Sequence, residues 1–136
     1  MSKPIAIIAG EPNSISTEII FKAWILKKKY KHKPLFIIGN FNLLNSQRKK
    51  LKYKIKLKKI KSNFKNSDLK GNDLPIFNVG YNQKKIFQKI SKISNNYIFK
   101  CFNIATNLIN KKKISGFINC PISKEYLFEK NYQGIT

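Results

Sequence analysis

The sequence predicts an α/β fold in which a largely parallel sheet is flanked by helices. Two observations carry this reading. Apolar runs of strand length alternate along the chain with segments of helical spacing, the arrangement that builds parallel βαβ units. Two of those runs also end in polar turns that open helices, at residues 10–18 and 119–125. In such folds the carboxyl ends of the strands face a crevice, and helix N-termini point free N–H groups into it. At 136 residues, the chain suits a single α/β unit over 1–136 that can bury a core; no repeat or linker interrupts it.

The elements follow in order. Residues 4–9 read as a buried strand. Residues 17–30 read as a helix with Ile19, Ile20, Ala23, Trp24 and Leu26 near one face and Lys27 to Lys29 at the end where cations suit the dipole. Pro34 closes that region, and residues 35–39 form a second buried strand. A short helix covers 41–51, with Leu43, Leu44 and Leu51 on its apolar side. Residues 52–60 alternate, Lys52, Lys54, Lys56 and Lys58 against Tyr53, Ile55 and Leu57, as expected for a half-exposed strand whose lysines guard a sheet edge. A polar loop spans 61–73, and residues 74–80 supply a further strand in which Pro75 marks an edge or a strand start. From 83 to 110 the spacing of Ile86, Ile90, Ile93, Tyr97, Cys101, Ile104, Ala105 and Leu108 predicts one long helix. The run 114–118 is the last strand.

Composition narrows the function classes. The chain carries 28 Lys and Arg against 6 Asp and Glu, a formal net charge of +22, which invites a nucleic-acid reading. Against it, Arg48 is the lone arginine, whereas phosphate and base recognition favours arginine forks. Lys, Asn and Ile recur throughout, including in core-like segments, which fits a nucleotide bias toward A and T better than a dedicated surface. A basic module for nucleic acid or another polyanion therefore stays the alternative of a different class. The charge would also draw phosphorylated substrates over long range. No apolar run reaches the roughly 18 residues of a membrane span, and Met1 to Pro4 lead into a strand without a signal-peptide core, so a cytoplasmic protein without a membrane partner is expected. Two cysteines, Cys101 and Cys120, suit neither a disulfide scaffold nor a metal clasp.

The two junctions hold the chemistry. In the first, Ser16 reads as the N-cap and Glu18 as a carboxylate favoured by the helix dipole, leaving Glu11 freer to face the crevice. In the second, Lys124 is either a partner for phosphate or carboxylate or a solvated lysine in a first helical turn. Ser123 reads as an N-cap, since no histidine base stands by to make it a nucleophile, and Cys120 as a small buried residue ending a strand. His32, the single histidine, reads as a surface connector. Neither a glycine-rich dinucleotide fingerprint nor a P-loop is present. If the strands bearing them are neighbours, the two junctions meet in one crevice.

Together these motifs resemble the N-terminal part of the 4-hydroxythreonine-4-phosphate dehydrogenase family of pyridoxal phosphate biosynthesis. That family opens with a strand and a G-[DE]-P-A-G-I-G-P-E signature, matched here by Gly10, Glu11, Pro12, Ile15 and Glu18. Its later T-G-P-[IV]-x-K strand end is matched by Pro121, Ile122 and Lys124, and Gly134-Ile135-Thr136 resembles the start of its G-H-T-E segment. The resemblance implies a fold like that of the isocitrate and isopropylmalate dehydrogenases, which bind NAD without a Rossmann fingerprint, here incomplete. It implies NAD- or NADP-dependent oxidation of a phosphorylated hydroxy amino acid, 4-phosphohydroxy-L-threonine, followed by decarboxylation. A sister enzyme acting on threonate or erythronate phosphate is the near alternative. It further implies a divalent metal (Zn, Mg or Co), a homodimer with the active site between subunits, and substrate contacts at Thr136, Lys124 and Glu11. Ile135 stands at the position of the family's substrate-binding histidine. The family's three metal-ligand histidines fall beyond the matched region, so the chain is expected to be the N-terminal portion of a longer dehydrogenase, with catalysis by it alone doubtful.

Overall fold

In the computed structural model, which describes residues 3–27 and 34–123, five short segments pair side by side in parallel. The strands are β1 (Ile5–Ile8), β2 (Leu35–Gly39), β3 (Leu57–Ile60), β4 (Leu74–Asn78) and β5 (Gly116–Asn119), in the order β3-β4-β2-β1-β5. The helices are α1 (Ser16–Lys27), α2 (Phe41–Lys50) and α3 (Asn95–Asn110), with 3-10 turns at Asn66–Leu69 and Lys92–Ser94. The α/β class and the parallel sheet are those the sequence predicts.

Strand alternation divides the core in two. Ala6, Ile8, Phe36 and Ile38 join Ile98, Cys101, Ala105 and Leu108 of α3 on one face. Ile37 and Ile76 join Ile20, Phe21 and Trp24 of α1 and Leu44 of α2 on the other. Helices thus cover both faces, which is why these strands read as continuous apolar runs. Gly39 is small for a packing reason: a Cβ there would lie 2.9 Å from that of Ala9 and 3.0 Å from the Tyr97 hydroxyl.

Three expectations are corrected, and a fourth, left open between two alternatives, is decided. The helix expected over 83–110 begins only at Asn95; Ile86 and Ile93 are exposed, and residues 83–91 form no helix. The reason is tertiary: side chains of other elements take backbone groups of this segment that a helix would use itself, the Gln88 amide going to Asn13 and the Ile86 carbonyl to Gln47. On α1 the buried stripe is Ser16, Thr17, Ile20, Phe21 and Trp24, while Ile19, Ala23 and Leu26 are exposed. Hydrogen bonds from Ser16 to Pro121 and from Thr17 to Gln47 fix that rotation. The strand expected over 52–60 shrinks to β3 because residues 51–52 turn at Lys52, whose φ is 63°. It is nonetheless an edge strand among the described residues, and the lysines that lead into it, Lys52, Lys54 and Lys56, are exposed. β4 lies inside the sheet, and Pro75 is tolerated at its start, ahead of the first β2–β4 register pair, Ile37 with Ile76.

Candidate active-site wall

The strand order makes β1 and β5 neighbours, with Ile8 beside Asn119, so the two junctions meet. Gly10 turns the chain out of β1 at φ +75°, a conformation that favours glycine, and a Cβ there would lie 2.6 Å from the Pro121 carbonyl oxygen. That same carbonyl accepts hydrogen bonds from the Glu11 amide and the Ser16 hydroxyl, both at 3.0 Å. Ser16 is therefore a clamp between junctions and not the N-cap expected of it; the Ser14 hydroxyl accepts from the Ser16 amide instead, at 3.1 Å. Glu18 lies in the first turn of α1, as expected, and pairs with Lys22 at 3.9 Å.

Glu11 is 1% exposed. Its Oε1 accepts from the Asn13 amide at 3.1 Å and its Oε2 from the Ser94 hydroxyl at 2.7 Å, so the carboxylate ties the first junction to the entrance of α3. This placement differs from the open, crevice-facing one expected from the sequence. A buried carboxylate is tolerable here because donors surround it.

Around it lies a polar network. Asn13 and Gln83 exchange amide hydrogen bonds of 2.9 and 3.2 Å, and the Tyr81 hydroxyl donates to Gln83 Oε1 at 3.0 Å. Burial, and then the charge of Glu11, holds the Tyr81 phenol above its ordinary range. Its ring stacks on Tyr97, centroids 4.5 Å apart, and the Tyr97 hydroxyl accepts from the Asn40 amide at 2.8 Å. Burial pushes the Tyr97 phenol well up, so that oxygen stays protonated. Buried Gln47 donates to the carbonyls of Pro12 and Ile86 at 2.7 and 2.9 Å while accepting from the Thr17 hydroxyl at 2.6 Å.

Cys120 is buried at the end of β5, as expected, and its thiol is pushed up to about 11 by burial, which disfavours a nucleophile. Lys124, Ile135, Thr136 and His32 lie outside the described residues. Sequence reasoning missed Asn13, Gln47, Gln83 and Ser94. Gln47 carried a signal: it falls at helical spacing with Leu44 and Leu51, a polar residue on an apolar stripe. No three His, Cys, Asp or Glu side chains come together among the described residues, so these do not fit a metal, and no step is assigned to one through them.

Residues 31–136 match the family model described as pyridoxal phosphate biosynthetic protein PdxA. The chain belongs to the PdxA family. A curated 4-hydroxythreonine-4-phosphate dehydrogenase from Caulobacter vibrioides is 26% identical over 133 residues, 97% of this chain and 38% of the relative. Among solved structures, the 4-hydroxythreonine-4-phosphate dehydrogenase of Burkholderia phymatum matches with a TM-score of 0.79 at 16% identity, covering 96% of this chain and 42% of that one. That of Klebsiella pneumoniae gives 0.76 at 20% identity over 92% and 38%. The structural likenesses establish the fold. This PdxA chain thus spans about two fifths of the length of the relatives it matches.

Proposed function

We propose that the chain forms the N-terminal wall of a 4-hydroxythreonine-4-phosphate dehydrogenase, an oxidoreductase of pyridoxal phosphate biosynthesis. The reaction is NAD- or NADP-dependent oxidation of the secondary alcohol of 4-phosphohydroxy-L-threonine, with decarboxylation of the resulting ketone. The observation that carries the reading is the junction of the two signature turns: Glu11 and Ser16 both bond the Pro121 carbonyl at the carboxyl ends of adjacent parallel strands. That is where open α/β sheets bind ligands. Two signature segments from distant parts of the chain meeting there favour a dehydrogenase over a polyanion module. Threonate or erythronate phosphate is the related substrate the same wall would admit.

Within this reading, Glu11 shapes the wall from behind, while Lys124 and Thr136 contact substrate. Ile135 offers an apolar surface where the family has a histidine. In this reading a bound nicotinamide cofactor would supply the hydride acceptor and a divalent metal would supply polarisation of the alcohol oxygen, and none of the described residues is assigned as a ligand to the metal. The functional unit is a homodimer in the cytoplasm. Among the described residues, no helix is long and apolar enough to cross a membrane.

The test is NAD(P) reduction by the longest product of the gene, supplied with 4-phosphohydroxy-L-threonine and Zn, Mg or Co. Turnover that needs both substrate and metal supports the reading. A product that reduces no cofactor with any of the phosphorylated hydroxy acids, and binds RNA with steep salt dependence instead, overturns it.

A further inference from the structure

Between α2 and the loop after β4 lies a cleft of about 200 Å³ at the carboxyl ends of β2 and β4. Asn42 and Ser46 of α2 and Tyr81, Lys84 and Lys85 of the loop line it, and the lining contains no carboxylate. Both lysines are exposed, and neither forms an ion pair among the described residues. They are carried on a held segment. Gln83, just before them, is fixed by Asn13 and Tyr81, and its Nε2 donates to the Lys85 carbonyl at 2.8 Å. Ile86, just after them, has its carbonyl held by buried Gln47. Two cations beside hydroxyl and amide donors, on backbone already ordered from both sides, suit a tetrahedral dianion with little further ordering cost.

By comparison, the lysine-lined groove beside β3 includes Asp68, and two of its lysines are engaged: Lys58 donates to the Lys70 carbonyl and Lys59 lies over the Phe41 ring.

We infer that the cleft of Lys84 and Lys85 is a phosphate subsite, taking a phosphoryl group from either the phosphorylated substrate or the dinucleotide; this rests on the proposed dehydrogenase reading only for those two sources. The Asn13–Gln83 amide pair is its positioning device.

The experiment titrates the 136-residue protein with inorganic phosphate at low ionic strength by calorimetry. Saturable binding is expected. Lys84→Gln with Lys85→Gln should weaken it about tenfold, and the charge-matched pair Lys61→Gln with Lys65→Gln less than about twofold. Asn13→Ala, which leaves the charge unchanged, should weaken binding about threefold while circular dichroism reports a folded protein. Displacement of phosphate by NAD assigns the cleft to the cofactor, and displacement by phosphothreonine assigns it to the substrate. Absence of saturation, equal weakening by both lysine pairs, or displacement by neither ligand overturns the inference. Since the readout is binding by this chain alone, it can fail while the dehydrogenase assay succeeds, and the reverse.

Discussion

Gly10 is where one side chain decides whether the two junctions can meet. Gly10→Ala would force a left-handed residue and drive a methyl against the Pro121 carbonyl, 2.6 Å away. The strain alone costs about 1–2 kcal/mol. With the clash added, a loss of about 3 kcal/mol is expected in urea denaturation; a loss under about 0.5 kcal/mol would show that the turn can be rebuilt without the glycine. Glu11 separates shape from charge. Glu11→Gln keeps an acceptor for the Asn13 amide, and its new amide can donate to the Ser94 oxygen, so about 1 kcal/mol is lost. Glu11→Ala leaves the half-buried Asn13 amide and the buried Ser94 hydroxyl unanswered and should cost about 3 kcal/mol. Equal costs for the two would mean that the network does not hold the carboxylate. The thiols offer a chemical check. Burial pushes Cys101 up to about 12 and Cys120 to about 11, so both stay protonated at pH 8. Neither should react with an aromatic disulfide in the native state, and both should react once urea unfolds the chain. Because both values are raised, the stability linked to these protonated thiols is full below the ordinary thiol range, near pH 8.5, and is withdrawn as pH climbs through 11 to 12.

At the scale of elements, α3 shows what periodicity can and cannot decide. Tyr97, Cys101, Ala105 and Leu108 are buried as their spacing predicts, yet Ile86 and Ile93 continue the same spacing and are exposed. Helical spacing records which residues share a face, but not whether another element claims the backbone first. Here Gln47, 39 residues before Ile86, takes a carbonyl that a helix would have used. Gln47→Leu fits the apolar stripe of α2 better, yet removes donors to the Pro12 and Ile86 carbonyls and the acceptor of the Thr17 hydroxyl. We expect a loss of about 2–3 kcal/mol and faster amide exchange confined to residues 83–91. Unchanged exchange there would mean that the loop is held by other contacts. The strands and the meeting of the junctions were legible because a central strand such as β2, buried from Phe36 to Gly39, leaves a plain apolar run. The wall's polar network was not legible, since Asn13, Gln83 and Ser94 look like ordinary loop residues until the chain folds them onto Glu11.

For the whole molecule, the dominant electrostatic fact is excess positive charge. Twenty-eight basic residues face six acidic ones, and the described residues contain one ion pair, Glu18 with Lys22. One of the acids, Glu11, is spent on hydrogen bonds inside the wall and neutralises no lysine at the surface. Folding therefore gathers like charges that the unfolded chain keeps farther apart, and this self-repulsion opposes the compact state. Salt should relieve it. Raising KCl from about 10 mM to about 1 M shortens the Debye length from about 30 Å to about 3 Å, removing most of the repulsion between lysines on different elements. An ordinary domain with balanced charge changes little or loses surface ion pairs under such treatment; this chain should gain, with Tm rising at least about 4 °C, equivalent to about 1 kcal/mol at this size. Thermal melts monitored by circular dichroism across that range provide the measurement. A flat or falling Tm would mean that the lysines lie too far apart, or are too well solvated, to repel one another. The high charge would then be a neutral record of composition with no hold on stability.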